Sequence, residues 1–192
     1  MVAMFNSATN FNQPLNNWDT SSVNNMRGMF ESAFSFDQDI GNWDTSNVTV
    51  FNGMFAYGSF NQDIGNWDTS SAIDINAMFY NATAFDQDLG NWNVENVTNA
   101  GSMFNNVTLS TSNYDSLLIG WNAQNLNPSV SFSGGYSRYC AGEAARANMI
   151  ASDGWGIADA GFAGSTVDDL IDQTVSGSFI FPVITGTSLS GN

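Results

Sequence analysis

Oxygen-bearing side chains recur along this chain in fixed columns. Asp19, Asp44 and Asp68 are each followed by a threonine, Thr20, Thr45 and Thr69, and a second set of acids, Asp39, Asp63 and Asp88, recurs at the same interval. Carboxylates in a column have three chemical uses. A pair roughly 5–9.5 Å apart in contrasting environments can cleave a glycosidic bond. A cluster can hold calcium through oxygen ligands. Or each carboxylate can accept the N–H groups of its own turn and do no chemistry. The chain has neither Lys nor His, so an enzymatic site would have to be built from carboxylates, because a serine would find no base. Cys140, the single cysteine, has no histidine to activate it and reads as a buried apolar filler. Neither acid column sets one residue apart from its neighbours, and no catalytic residue is expected.

Calcium is a candidate ligand of Asp39, Asp63 and Asp88. Equivalent side chains on successive coils would lie roughly 5 Å apart, where two like charges in water repel by about 0.8 kcal/mol. A bridging cation would relieve that repulsion; so would backbone N–H groups. For Asp19, Asp44 and Asp68 the turn-capping use is preferred. Repeated at a fixed rise together with Thr20, Thr45 and Thr69, these residues also form the candidate ligand-binding ladder.

The elements that position such columns follow from the period. Trp18, Trp43, Trp67 and Trp92 are spaced by 25, 24 and 25 residues, as are Phe11, Phe36, Phe60 and Phe85. A Met-Phe pair recurs at Met4-Phe5, Met29-Phe30, Met54-Phe55, Met78-Phe79 and Met103-Phe104. A period this short is too small for a four-stranded propeller blade and predicts a solenoid of about four to five coils. Within a unit, Asp39 to Asp44 is expected to be strand-like, with Ile40 and Trp43 as its apolar members. Thr45-Ser46-Asn47 supplies N-cap residues for a short helical segment in which Val48, Phe51, Met54 and Phe55 fall at helical spacing. One unit cannot bury enough apolar surface to offset its ordering, whereas stacked units bury both faces of every aromatic.

The phrases "FNQPLNNWDTSSVNNMRGMF" (11–30), "FDQDIGNWDTSNVTVFNGMF" (36–55), "FNQDIGNWDTSSAIDINAMF" (60–79) and "FDQDLGNWNVENVTNAGSMF" (85–104) resemble the BspA-like leucine-rich-repeat surface proteins, whose repeat also occurs in mycoplasma surface proteins. The resemblance covers the first 108 residues or so. The third unit departs from it with Ala72 at the usual Val, and the fourth with Asn93-Val94-Glu95 in place of Asp-Thr-Ser. It implies an α/β, leucine-rich-repeat-like solenoid, a bacterial cell-surface or secreted location, and recognition or adhesion directed at an extracellular protein or glycan.

Beyond residue 108 the period is lost. Residues 109–162 read as a C-terminal α/β cap: a helix in "SNYDSLLIGWNAQ" (112–124) presenting Tyr114, Leu117, Leu118 and Trp121, a strand in "SVSFSGG", a second helix stopped at Gly154, and a last strand in "WGIADAGF". Residues 163–192 are expected to be a further strand pair or the start of a following domain. The formal charge of −15 with only three Arg excludes nucleic-acid binding through phosphates. No long apolar run is present to insert into a membrane. The opening "MVAMFNSATNFNQ" is already mid-repeat and reads as part of a larger parent chain, within which this segment would be monomeric. The Asn-X-Thr triplets at Asn47, Asn81, Asn96 and Asn106 read as turn and cap residues, because they recur with the repeat. Besides recognition, two other classes fit: a structural spacer, and an ice-binding surface built on the threonines, which Val94 interrupts.

Overall fold

The computed structural model describes residues 1–164. In the repeat region the backbone is a succession of tight turns, and neither the helical segment expected after Thr45 nor the strand expected at Asp39–Asp44 forms there. The reason lies in two columns of left-handed residues. Ala3, Gly28, Gly53, Ala77 and Ser102 have φ between 50° and 64°, and Ser7, Ser32, Tyr57, Asn81 and Asn106 have φ between 57° and 62°. Two such residues in each unit prevent a right-handed helix from propagating. Turns are chained instead, as in Met29 N–H to Met26 O (3.1 Å), Glu31 to Gly28 (3.2 Å) and Ala33 to Phe30 (3.0 Å). Residues Val48, Phe51, Met54 and Phe55 are all buried. Their three- and four-residue spacing is real, but chained turns produce it.

The N–H groups between those turn bonds cross to the next unit. Gly28, Phe30 and Ser32 donate to the carbonyls of Asn52, Met54 and Ala56 at 2.8–2.9 Å, Gly53, Phe55 and Tyr57 donate to Asn76, Met78 and Tyr80, and Ala77, Phe79 and Asn81 donate to Gly101, Met103 and Asn105. Parallel bridges link Asn25 to Val50, Val50 to Asp74 and Asp74 to Asn99. Pairing thus occurs at the residues entering the Met-Phe turns, far from Asp39–Asp44. The latter stretch is a turn closed by Trp43 N–H to Ile40 O at 3.1 Å.

Ring columns fill the interior. Phe5, Phe30, Phe55, Phe79 and Phe104 stack from unit to unit with centroids 5.4–5.8 Å apart and planes within 11° of parallel. Trp67 and Trp92 stack at 6.4 Å. Each indole also donates backwards: Trp43 Nε1–H to Leu15 O (3.0 Å), Trp67 to Ile40 O (3.1 Å), Trp92 to Ile64 O (2.9 Å). A buried indole is therefore both packed and hydrogen-bonded, as its N–H requires.

The chain then forms α1 (Thr111–Asn122), β1 (Ser131–Ser133), α2 (Glu143–Asp153) and β2 (Gly156–Ala158). Helix α1 is capped by Ser110, two residues before the expected start, and buries Tyr114, Asp115, Leu117, Leu118 and Trp121. Trp121 donates to Leu89 O at 3.1 Å and so continues the indole series. The close approach of α1 requires Gly120, where a Cβ would overlap the Gly90 carbonyl. β1 and β2 pair in parallel, Phe132 opposite Ile157, and an Ala100–Phe132 bridge carries the pairing of the repeats into β1. α2 ends at Gly154 in the left-handed conformation, φ 69°. Buried Asp115 receives the N–H groups of Cys140, Ala141 and Gly142 at 2.7–2.9 Å and so fixes the approach to α2. Cys140, expected to be buried, is only partly so. Met1–Phe162 form one unit; the expectation for 163–192 falls outside the described residues apart from Ala163 and Gly164.

Candidate functional site

The structure places the expected ligand ladder in two different environments. Thr20, Thr45 and Thr69 are 2%, 1% and 2% exposed. Their hydroxyls donate to the carbonyls of Asp44 (3.0 Å), Asp68 (2.9 Å) and Asn93 (2.9 Å), each on the following unit. They are internal clamps between coils, so the expectation that they contact a ligand is corrected. Because the ladder is buried, the ice-binding surface suggested for it is lost as well. Asp19, Asp44 and Asp68 are exposed. Each accepts the N–H (2.9–3.0 Å) and hydroxyl (2.6 Å) of the serine two residues on: Ser21, Ser46 and Ser70. Those bonds stabilise the charged form and hold the Asp19 and Asp68 carboxyls below the ordinary carboxylate range, the serine hydroxyl contributing most and the backbone N–H next. The turn-capping use of this column is thus built.

Asp39, Asp63 and Asp88 are also exposed, and each Oδ1 accepts the N–H of Gly41, Gly65 or Gly90 at 2.8–2.9 Å. Among the described residues no three His, Cys, Asp or Glu side chains converge as a metal site. The expectation of calcium at this column is corrected on that ground: the three carboxylates do not converge, and each turns one oxygen to the backbone N–H two residues downstream. The triplet asparagines bridge coils. Asn47 Nδ2 donates to Ser21 O (2.9 Å) and Asn96 Nδ2 to Ser70 O (2.7 Å).

A groove of about 330 Å³ lies instead across the Met-Phe turns and is lined by Arg27, Glu31, Asn52, Asn76, Tyr57 and Tyr80, with Gly53, Ala56, Ala77 and Ser102 as its floor and ends. The chained turns position it. They hold Met and Phe inwards and turn the residues on either side outwards. Tyr57 is 43% exposed and meets Tyr80 of the next coil with centroids 5.3 Å apart at 56°. Asn52 Nδ2 donates to Asn76 Oδ1 (3.2 Å), and Asn76 in turn to Gly101 O, which orders an amide row along the groove. Glu31 is held by Asn6 Nδ2 at 2.9 Å. Arg27 is the only cation of the repeat region, and its guanidinium forms no ion pair among the described residues; Arg146–Asp159 is the pair found there.

Two phenol faces, two oriented amides, one cation and one carboxylate suit a ligand with hydroxyl or amide groups and an apolar edge. The groove has a single carboxylate, so the geometry of paired acids is not built in it. None of these residues was singled out by the period, because none belongs to a column that is constant along the repeats: Arg27 aligns with Asn52 and Asn76, and Glu31 with Ala56 and Tyr80. The signal available was a bulky residue that interrupts a column without a core role.

The second polar cluster lies in the cap. Tyr114 Oη donates to Asp159 Oδ2 (2.8 Å), and Arg146 Nε lies 2.7 Å from the same oxygen. Burial first, then the Asp159 charge and hydrogen bond, push the Tyr114 phenol far above its ordinary value. Burial opposes the Arg146 charge, yet the bond to Asp159 and its charge outweigh burial and raise the guanidinium pKa. This cluster joins α1, α2 and the chain after β2. No helix of the described residues is long and apolar enough to cross a membrane.

No curated protein and no solved structure matches this chain. The model of the family described as Mycoplasma protein of unknown function, DUF285, matches residues 1–117, a span that takes in all the repeat phrases and the first half of α1. On that match, the chain belongs to the DUF285 family.

Proposed function

We propose that residues 1–108 are a leucine-rich-repeat-like solenoid of the BspA-like kind, capped by residues 109–162, and that it serves as a recognition module at the bacterial cell surface or outside the cell. Its ligand is a polymer, either a glycan or an extracellular matrix-type protein, received along the groove of Arg27, Glu31, Asn52, Asn76, Tyr57 and Tyr80. One observation carries the reading: Tyr57 sits at φ 62°, half-exposed, where a bulky side chain costs about 1–2 kcal/mol. Such strain with no gain in core packing is characteristic of binding sites. The groove crosses coil after coil, so a repeating ligand would meet several rungs and gain avidity. No bond-breaking step is assigned to it.

A glycan and matrix-protein array, followed by titration of the hits, tests this. Tyr57→Ala and Tyr80→Ala should each weaken binding about 30-fold, the effect of removing an anchor of about 2 kcal/mol. Asp39→Asn, outside the groove, should leave affinity unchanged. If no polymer binds, or if the tyrosine variants bind as the parent does, the spacer reading takes its place.

A further inference from the structure

The tyrosines of the groove begin a longer row. Tyr57, Asn81 and Asn106 occupy one column of left-handed residues on three successive coils, with φ of 62°, 57° and 62°. Tyr136 follows β1, the strand that the Ala100–Phe132 bridge adds as the next layer. Beyond the groove the row is joined by its own hydrogen bonds: Tyr136 Oη–H donates to Asn106 Oδ1 (3.0 Å), and Asn106 Nδ2 donates to Asn81 Oδ1 (2.6 Å). Tyr136 is 61% exposed, so its ring buries little, yet its hydroxyl is anchored. An exposed ring already held in place presents a binding face at reduced entropic cost. Three coil steps of roughly 4.8 Å put Tyr136 about 14 Å along the array from Tyr57.

We propose that this row extends the groove into a path for a neutral glycan chain, with Tyr57–Tyr80 and Tyr136 as its aromatic platforms and the Asn81 and Asn106 amides between them. The path rests on the groove being a recognition site and gives its ligand a chemical class. Hydrogen-bonding capacity decides that class. Every backbone N–H of residues 53–58 and 77–82 is engaged, either within its turn or by a carbonyl of the next coil. An extended peptide therefore finds no main-chain donor there with which to pair as an added strand. Side-chain capacity is what remains. An amide carries two hydrogens and two lone-pair sites. The row's own bonds use one of each on Asn106 and one lone pair on Asn81, and both Asn81 hydrogens are without a partner among the described residues. Donors and acceptors side by side match a hydroxyl, which is both at once, and the tyrosine faces match the apolar C–H face of a sugar ring. Charge selects among sugars. Tyr57, Tyr80, Asn81, Asn106 and Tyr136 are uncharged at neutral pH, and a chain of formal charge −15 repels a sulfated or uronic polymer.

The probes are immobilised neutral oligosaccharides, each sugar presented as a disaccharide and as a hexasaccharide, with heparin as the anionic arm and collagen as the protein arm. A neutral hexasaccharide should bind the full chain about ten-fold or more tightly than its disaccharide, because it spans both platforms. Tyr136→Ala should weaken the hexasaccharide about ten-fold and leave the disaccharide unchanged. Its melt should match the parent's, because the Tyr136 N–H to Val107 O bond is kept. Asn106→Gly, which suits the left-handed backbone at that position, should have the same selective effect, while Tyr57→Ala should weaken both lengths. Equal affinity for the two lengths, or a Tyr136→Ala protein that binds the hexasaccharide as the parent does, overturns the extension; the groove then stands if Tyr57→Ala still weakens binding. Heparin or collagen bound in preference to every neutral sugar overturns the glycan assignment, and Tyr57→Ala again reads the groove separately. If none of the probes binds, the proposal falls together with the recognition reading.

Discussion

Thr45→Val separates an internal clamp from a surface rung with a change of almost no volume. Valine keeps the β-branched shape and loses only the hydroxyl, which in the structure donates to Asp68 O at 2.9 Å from a side chain 1% exposed. Asp68 O has no other hydrogen-bond donor among the described residues. The loss therefore includes the net value of a hydrogen bond, about 1 kcal/mol, and up to about 2 kcal/mol if water cannot reach the abandoned carbonyl. The bond is part-buried, which favours the lower figure. At about 2–4 °C per kcal/mol for a domain of this size, the thermal midpoint should fall by about 2–5 °C. Intrinsic tryptophan fluorescence is the probe of choice, because Trp43 and Trp67 lie in the affected coils. Thr45→Ser loses a buried methyl but retains the donor, so the Asp68 carbonyl keeps its partner. Ligand affinity should be the same in all three proteins. A Thr45→Val protein as stable as the parent but unable to bind the array hit would refute the clamp and restore threonine to the binding face.

Three other outcomes follow from the same contacts. Gly120→Ala would drive a Cβ into the Gly90 carbonyl; α1 should lift from the last coil, seen as faster exchange in 111–122 and a stability loss of about 2 kcal/mol or more. On the acid side, Asp19 and Asp68 have depressed folded-state pKa values, so their contribution is present above the unfolded value near 3.8 and is lost as pH falls through the folded values. On the alkaline side, Tyr114 has a raised value against an ordinary 10.0, so its contribution is complete below pH 10 and is lost as pH rises beyond it; Tyr114→Phe should flatten that alkaline limb of the urea midpoint plotted against pH. Finally, melts with millimolar calcium and with chelator should coincide, because Asp39, Asp63 and Asp88 do not converge with other acids and each Oδ1 accepts the N–H of its own turn; a midpoint that rises with calcium would reopen the metal site.

Period and aromatic columns were legible from spacing alone, because a residue repeated every 24 or 25 positions and too apolar for water has to be placed among its own copies. Trp67 over Trp92 and Phe55 over Phe79 are the result. The conformation between those columns was not legible in the same way. Val48, Phe51, Met54 and Phe55 fit a helical wheel, and only the left-handed residues, glycine in two coils but Ala77 and Ser102 in others, show that the backbone turns back every few residues. Where the left-handed position holds Ala or Ser, composition carries no flag, since neither residue is typical of that conformation. The cap was read more closely, α2 and both short strands lying within the expected segments and α1 starting one residue before its own, because Gly154, the Trp121 stripe and the polar linkers are local signals. For the threonines the error was one of direction. Alternation says that Asp44 and Thr45 point to different sides, but not which of them faces solvent.

Repetition itself explains why the candidate site was invisible from the repeat. A side chain present in every coil is one whose geometry every coil supplies, and in this chain that means contact with the copies above and below. Trp donates to a carbonyl of the coil before and Thr to one of the coil after, while Asp accepts the N–H and hydroxyl of its own turn. The residues held constant are thus engaged with the protein. Those free to meet anything else are the ones that vary along a column: Val2, Arg27, Asn52, Asn76 and Gly101 in one, and Ser7, Ser32, Tyr57, Asn81 and Asn106 in another. The groove lies where those variable columns run side by side. Under the proposed recognition function, specificity would reside in the positions at which units differ, while the shared phrase sets the spacing between them. Exchanging whole columns between coils, for instance moving Tyr57 to the Ser32 position as Ser32→Tyr with Tyr57→Ser, should shift or abolish binding while leaving the melt nearly unchanged, because neither side chain is part of the buried stack.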